Sequence, residues 1–158
     1  MDRCFVDANI LYYHFVETPP FSHKSTTLLE RVAAGEIVGY ASTHVLSEAI
    51  HKVMLAEAAT RFAPTRAGLV NWLQNHRNRI AELCDFQRVA HELSGMGMVL
   101  LPTDAALFAE AADLSRTHGL LTNDAIIVAL MRRHSLSILA TNDDDFGGIP
   151  GLSVWSPR

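Results

Sequence analysis

Asp7 has apolar neighbours on both sides: Cys4, Phe5 and Val6 before it, Ile10 and Leu11 after it. A carboxylate in such a place must shift its pKa or find a partner, because an unpaired buried charge is very costly. Three further acids stand beside apolar stretches elsewhere in the chain: Glu48 in "SEAIHK", Asp124 in "TNDAIIVALMRRHS" and Asp143 in "SILATND". Were the fold to gather the four, only a hard cation would offset their repulsion. Mg²⁺ or Mn²⁺ suits such an oxygen-only set, because it retains waters and leaves room for a phosphate. An ion of that kind polarises a phosphodiester oxygen and lowers the pKa of a coordinated water, making a nucleophile usable near neutrality.

The elements needed to gather them are legible. Arg3–Val6 reads as a first strand, "EIVGYAS" as a second, the stretch around Met98 to Leu101 as a third, and "LSILATN" as a fourth. Leu152–Trp155 could add a fifth at the edge. "ETPPFSH" is a turn-rich break, after which Ser25 can cap a helix over 26–34 that stops at Gly35. Ser42 or Thr43 can cap the next, whose Val45, Leu46, Ala49, Ile50, Val53 and Met54 follow helical spacing. Residues 58–97 look helical with interruptions, Pro64 and Gly68 among them. Thr103 or Asp104 caps a helix that ends at Gly119, and Thr122 opens the last one.

Short apolar strands alternating with helices predict an α/β fold: a mainly parallel sheet of four to five strands, covered on both faces. The 158 residues are expected to form one domain. Ligands of such sheets sit beyond the carboxyl ends of the strands. Asp7 ends the first strand and Asp143 follows the fourth, which is where that rule asks for functional groups. Asp124 lies in the first turn of its helix, and Glu48 in the helix after the second strand.

Each acid also has a plainer explanation. Asp124 could simply complement the positive end of its helix, and "NDDDFGG" could be a surface turn. A helical wheel puts Glu48 away from the apolar stripe, and Lys52 is placed to pair with it at i,i+4. Asp7 is the hardest to explain away, since its strand looks buried.

Composition narrows the field. Apolar residues make up 49% and charged residues 19%, ordinary for a folded chain. No apolar run approaches the roughly 20 residues that span a bilayer, so no membrane role is expected. The first residues show no secretory pattern. Cys4 and Cys84 cannot make a disulfide framework, so a cytoplasmic location is expected. The net charge of −4 argues against holding nucleic acid by bulk electrostatics, and it equals the charge of the four acids alone. Arg61, Arg66, Arg77, Arg79 and Arg88 form a local basic excess, read either as solvated helix faces or as a binding stripe.

"FVDANIL", "SEAIHK", "LLTNDAIIVALM" and "ILATNDDDF", in this order, resemble the four acidic motifs of the PIN-domain nucleases, and "GIPGLSVWSP" is similar to that family's usual end. Within the family the chain looks most like the VapC-type toxins of toxin–antitoxin pairs. The resemblance covers nearly the whole chain and is weakest over 58–97. It implies a three-layer sandwich and a Mg²⁺-dependent (or Mn²⁺-dependent) endoribonuclease with metal-centred acids at Asp7, Glu48, Asp124 and Asp143. Asn9 and Thr141 match the family's supporting polar positions, and Asp145 matches a further acid of variable role. An RNA substrate, a cognate antitoxin and a homodimer are implied with it. The middle segment departs from the pattern, being longer than in the shortest members.

Other classes fit less well. An aspartyl phosphotransferase needs a second carboxylate two residues after the nucleophile, where this chain has Asn9. Eight histidines are scattered along the chain, with no grouping that suggests histidine-based cleavage. A catalytically silent PIN-like module would be expected to have lost acids, and none is lost. An RNA-processing nuclease without an antitoxin has the same motifs.

Overall fold

Strand β1 (Asp2–Val6) lies at the centre of a five-stranded sheet, flanked by β2 (Ile37–Ser42) and β4 (Ile138–Ala140). Outside these run β3 (Val99–Leu101) and β5 (Ser153–Trp155), giving the order β3-β2-β1-β4-β5 with every pairing parallel. The computed structural model describes residues 2–62 and 68–158. The expected interruption at Pro64, and Arg66 of the basic segment, lie outside the described residues. Central parallel strands are covered on both faces, so their side chains are apolar without alternation. Cys4, Phe5 and Val6 are accordingly all buried.

The helices that flank the sheet are α1 (Ala8–Phe15), α2 (Phe21–Ala33), α3 (Thr43–Phe62), α4 (Leu69–Asn75), α5 (Arg77–Ile80), α6 (Asp85–Gly95), α7 (Ala105–His118) and α8 (Thr122–Arg133). Local chemistry explains several of their ends. The Ser42 hydroxyl accepts from Val45 N–H at 3.0 Å, and Asp104 accepts from Leu107 N–H at 2.7 Å, both side-chain caps. Gly119 closes α7 with a φ of 71°, which costs a glycine little. Helix α8 is buried from Ala125 through Met131, as a helix apolar all round should be, and it packs on α7.

Two helices differ from expectation. α1 forms directly after β1, where the sequence shows only an apolar segment. α2 begins at Phe21, several residues before the predicted 26. Its entry is organised by Thr18, whose carbonyl accepts from Phe21 N–H and whose N–H donates to Ser22 Oγ at 2.6 Å. Ser25 is therefore inside α2 and fully buried, not its cap.

Helix α2 also approaches the sheet unusually closely. A Cβ added to Gly39 of β2 would stand 2.8 Å from Val32 Cγ1. Only glycine allows this approach, because the β-branched Val32 side chain has little freedom to turn away.

The main core joins the strands to residues of α1, α2, α3, α7 and α8. A smaller cluster of Ala58, Leu69, Leu73 and Leu83 joins α3 to α4 and the segment before α6. Glu57 of α3 ties the two regions together. Its carboxylate accepts from Cys84 N–H and Asp85 N–H, both at 2.9 Å, holding the N-terminus of α6.

Candidate active site

The carboxyl ends of β1 and β4 lie side by side, since Val6 pairs with Ala140. Asp7 follows one strand and Thr141 the other. Asp7 is only 8% exposed, and both its oxygens are engaged. Oδ1 accepts from Ala8 N–H at 2.6 Å, which makes Asp7 the N-cap of α1. Oδ2 accepts from the Thr141 hydroxyl at 2.7 Å. Burial nevertheless raises the Asp7 pKa, against the two hydrogen bonds that lower it.

Thr141 is fully buried and works as a junction. While donating to Asp7, its oxygen accepts from Asn9 Nδ2 at 3.1 Å and from Asp143 N–H at 3.0 Å. Asn9 Oδ1 in turn accepts from Asn142 N–H at 3.2 Å. Two strand ends that are distant in sequence are thus locked together by Asp7, Asn9 and Thr141.

Above this lock opens a cavity of about 390 Å³. Asp7, Asn9, Glu48, Asp124, Asp143 and Asp145 all line it, together with Lys52, Thr122 and Asn123. The structure therefore brings every sequence-indicated residue to one place, with Thr141 beneath the floor. Asp143 Oδ1 accepts from Asp145 N–H at 2.9 Å, in the 3₁₀ turn Asp144–Phe146. Asp124 lies in the first turn of α8 and its pKa is pushed up to about 6. Burial is the largest cause, followed by the charges of Asp143, Asp7, Asp145 and Glu48. The acids are close enough to disfavour one another's ionised forms. An oxygen-only, mutually repelling donor set fits a hard divalent cation.

Glu48 pairs with Lys52 at 2.7 Å, as the i,i+4 spacing predicted, yet both side chains face the cavity. The pairing and the cavity position coexist.

Two other features compete for attention. Among the described residues, the group whose potential ligand atoms all fall within 4.8 Å of one another is Glu57, Cys84 and Asp85, and the cavity acids stand more openly than that. The Glu57 carboxylate is already taken by two backbone N–H groups, so that trio is a helix cap. A second cavity, of about 480 Å³, opens between Phe15, Val53, Ala56 and Thr60. Its described acids are Glu17, Glu57 and Asp85, with Arg61 beside them, and the Glu57 carboxylate is already engaged.

Three arginines of the basic segment have local partners. Arg79 pairs with Glu82 and Arg88 with Glu92, while Arg61 donates to the Glu82 carbonyl. Its apolar residues are largely spent on the small cluster. Leu69 and Leu73 are inside it, Phe62, Trp72 and Ile80 pack against it, and Val70 remains 44% exposed.

Sequence reasoning missed the polar frame behind the Asp143 loop. Asn142 Nδ2 donates to the Tyr13 hydroxyl at 3.1 Å, and Asn142 Oδ1 accepts from Ser156 and from Arg158 Nε. Arg158 also pairs with Asp144 at 2.8 Å. Nothing local marks Asn142 for this role; its partners come from α1 and from beyond β5.

A family model described as "PIN domain" matches residues 4–152. Comparison with curated proteins finds no match. Among solved structures, a toxin–antitoxin complex from Klebsiella pneumoniae is similar at 22% identity and a TM-score of 0.56, with 98% of each chain covered. VapBC2 from Rickettsia felis, bound to a DNA fragment from its promoter, is similar at 18% identity and a TM-score of 0.54, also with 98% of each chain covered. The sarcin–ricin-loop-cleaving toxin VapC20 of Mycobacterium tuberculosis is similar at 17% identity and a TM-score of 0.61, with 94% of this chain and 98% of that one covered. These identities speak to the fold.

Proposed function

The chain belongs to the PIN domain family, and from that premise we propose that it is a Mg²⁺- or Mn²⁺-dependent endoribonuclease, the toxin of a toxin–antitoxin pair. The observation that carries this reading is the convergence of Asp7, Glu48, Asp124 and Asp143 on one cavity at the carboxyl ends of the strands. The solved toxin–antitoxin complexes of the same fold support an antitoxin as partner. A homodimer and a cytoplasmic location belong to the same reading.

A bound divalent ion supplies Lewis acidity toward a phosphodiester oxygen and a water of lowered pKa. Asp7 and Asp124 are the acids proposed to hold it directly, with Glu48 and Asp143 acting directly or through water. The protein's part is orientation. The Ala8 N–H and the Thr141 hydroxyl fix both oxygens of Asp7, so its carboxylate is set before any substrate arrives. Asn9 holds Thr141 in turn, and Asp145 N–H fixes Asp143. Deprotonation of Asp124, near pH 6, readies the set to take a cation.

Cleavage of RNA with Mn²⁺ or Mg²⁺ tests the reading. EDTA should abolish it, and Asp7→Asn or Asp124→Asn should lower it at least about a hundredfold, since both water activation and phosphate polarisation depend on ion placement. Full activity in EDTA would remove the metal dependence. Expression alone should arrest growth, with relief by Asp7→Asn. Normal growth with active protein would favour RNA processing without an antitoxin.

A further inference from the structure

Among the described residues that line the acidic cavity, Lys52 is the one cation, facing Asp7, Glu48, Asp124, Asp143 and Asp145. An RNA phosphate entering there meets carboxylates from nearly every side. The nearby Arg158 does not change this, because its guanidinium is engaged by Asn142 and Asp144 at the back of the loop. Lys52 Nζ stands 2.7 Å from Glu48 Oε1, with the lysine side chain 42% exposed. A half-exposed ion pair between neighbouring helical turns is held weakly and released at little cost. A lysine also suits exchange between partners: its ammonium is a point charge on a flexible four-carbon stem, without the fixed fork of arginine.

We infer that Lys52 is a substrate-binding residue, which gives up Glu48 to take a non-bridging phosphate oxygen of the RNA once Glu48 is drawn to the cation. The assignment rests on the nuclease reading and names how that site tolerates a polyanion. The same charge has two uses. Without the cation, Lys52 offsets part of the repulsion among the acids, and its field also reaches Asp7. With the cation bound, it becomes free for the substrate.

The competing role is purely local, Lys52 doing no more than hold Glu48 in place. Substitution separates the two. If Lys52 meets the phosphate, Lys52→Gln should raise KM for a single-stranded RNA by at least about tenfold, the low end for losing one hydrogen bond to a charged group. kcat should stay within about twofold, since the group acts in binding. The slope of log(kcat/KM) against log[salt] should become shallower by about 0.7, one phosphate contact on a single strand. Lys52→Arg should restore most of both. In RNA-free protein, Mn²⁺ titrated by thermal shift should bind Lys52→Gln at least as tightly as wild type, because a competing cation has gone.

A fall in kcat with weaker Mn²⁺ binding and an unchanged salt slope would overturn the assignment and leave Lys52 as a holder of Glu48. An active wild type with unchanged KM and slope in Lys52→Gln would overturn it too. Wild-type protein inert on RNA with Mn²⁺ or Mg²⁺ would instead overturn the nuclease reading, and the phosphate contact with it.

Discussion

Thr141→Val replaces a hydroxyl by a methyl of similar size, so its effect isolates one oxygen. That oxygen has three partners: it donates to Asp7 Oδ2 at 2.7 Å and accepts from Asn9 Nδ2 and Asp143 N–H. The bond to the ionised Asp7 is worth about 1.5–3 kcal/mol. Asn9 and Asp143 are part-buried, so water can replace the lost acceptor, which limits each to about 0.5 kcal/mol, the low end for a hydrogen bond. The total is a loss of about 2.5–4 kcal/mol, or about 5–15 °C in Tm for a chain of this size. The pH dependence follows from Asp7. Its folded pKa is already raised by burial, and removing the hydroxyl raises it further. The cost should therefore be largest where Asp7 is ionised and shrink as pH falls through its folded pKa. Denaturant unfolding of EDTA-treated wild type, Thr141→Val and Thr141→Ser across pH measures this, with Thr141→Ser close to wild type. A Thr141→Val protein within about 0.5 kcal/mol of wild type at every pH, the range of an ordinary surface change, would refute the role of Thr141 as the internal partner of Asp7.

Asp124 has a folded pKa of about 6 against 3.8 for the free group, so the metal-free fold should lose stability as pH rises from about 4 to 6 and then level off. After discounting for partial exposure the loss is about 1–2 kcal/mol, and Asp124→Asn should flatten that part of the curve in denaturant titrations. Gly39→Ala should destabilise by about 1–3 kcal/mol through overpacking against Val32. Thermal melts of the double variant with Val32→Ala should show part of that loss recovered, because the two changes act at one contact. Glu57→Ala should cost about 1–2 kcal/mol as a lost helix cap, whereas Glu57→Gln, which retains an acceptor, should cost less by denaturant unfolding.

Periodicity and end signals carried most of the fold, because the strands are short apolar runs and helices such as α7 carry their own cap and stop. Two places resisted. α1 spans eight residues, too few for periodicity to speak, and is started by Asp7 as cap. α2 misled because Ser25 has the chemistry of a cap but is buried within the helix. At the site, Asp7 and Asp143 were legible from the strand-end rule alone. Asn9 and Thr141 were not, since their bonds join positions more than a hundred residues apart, and only family resemblance pointed to them. Glu48 shows how a correct local reading can be incomplete. Its pair with Lys52 was plain in the spacing, but the direction that pair faces is set by the packing of α3 on the rest of the molecule.

The lock between Asp7 and Thr141 also has a consequence in time. Thr141 follows Asp7 by 134 residues, so at about 5–20 residues per second on the ribosome the hydroxyl that fixes Asp7 is made roughly 7–27 seconds after it. Once Ile37–Ser42 has been made, β1 can have β2 as its neighbour but not β4, and the edge later filled by Ile138–Ala140 stays open. From Glu48 until Asp124 is reached, Asp7 and Glu48 exist while Asp124 and Asp143 do not. A partly synthesised chain at that stage carries half of the four acids without the Thr141 hydroxyl that aims Asp7, and the cavity closes only once residues 141–145 have been added.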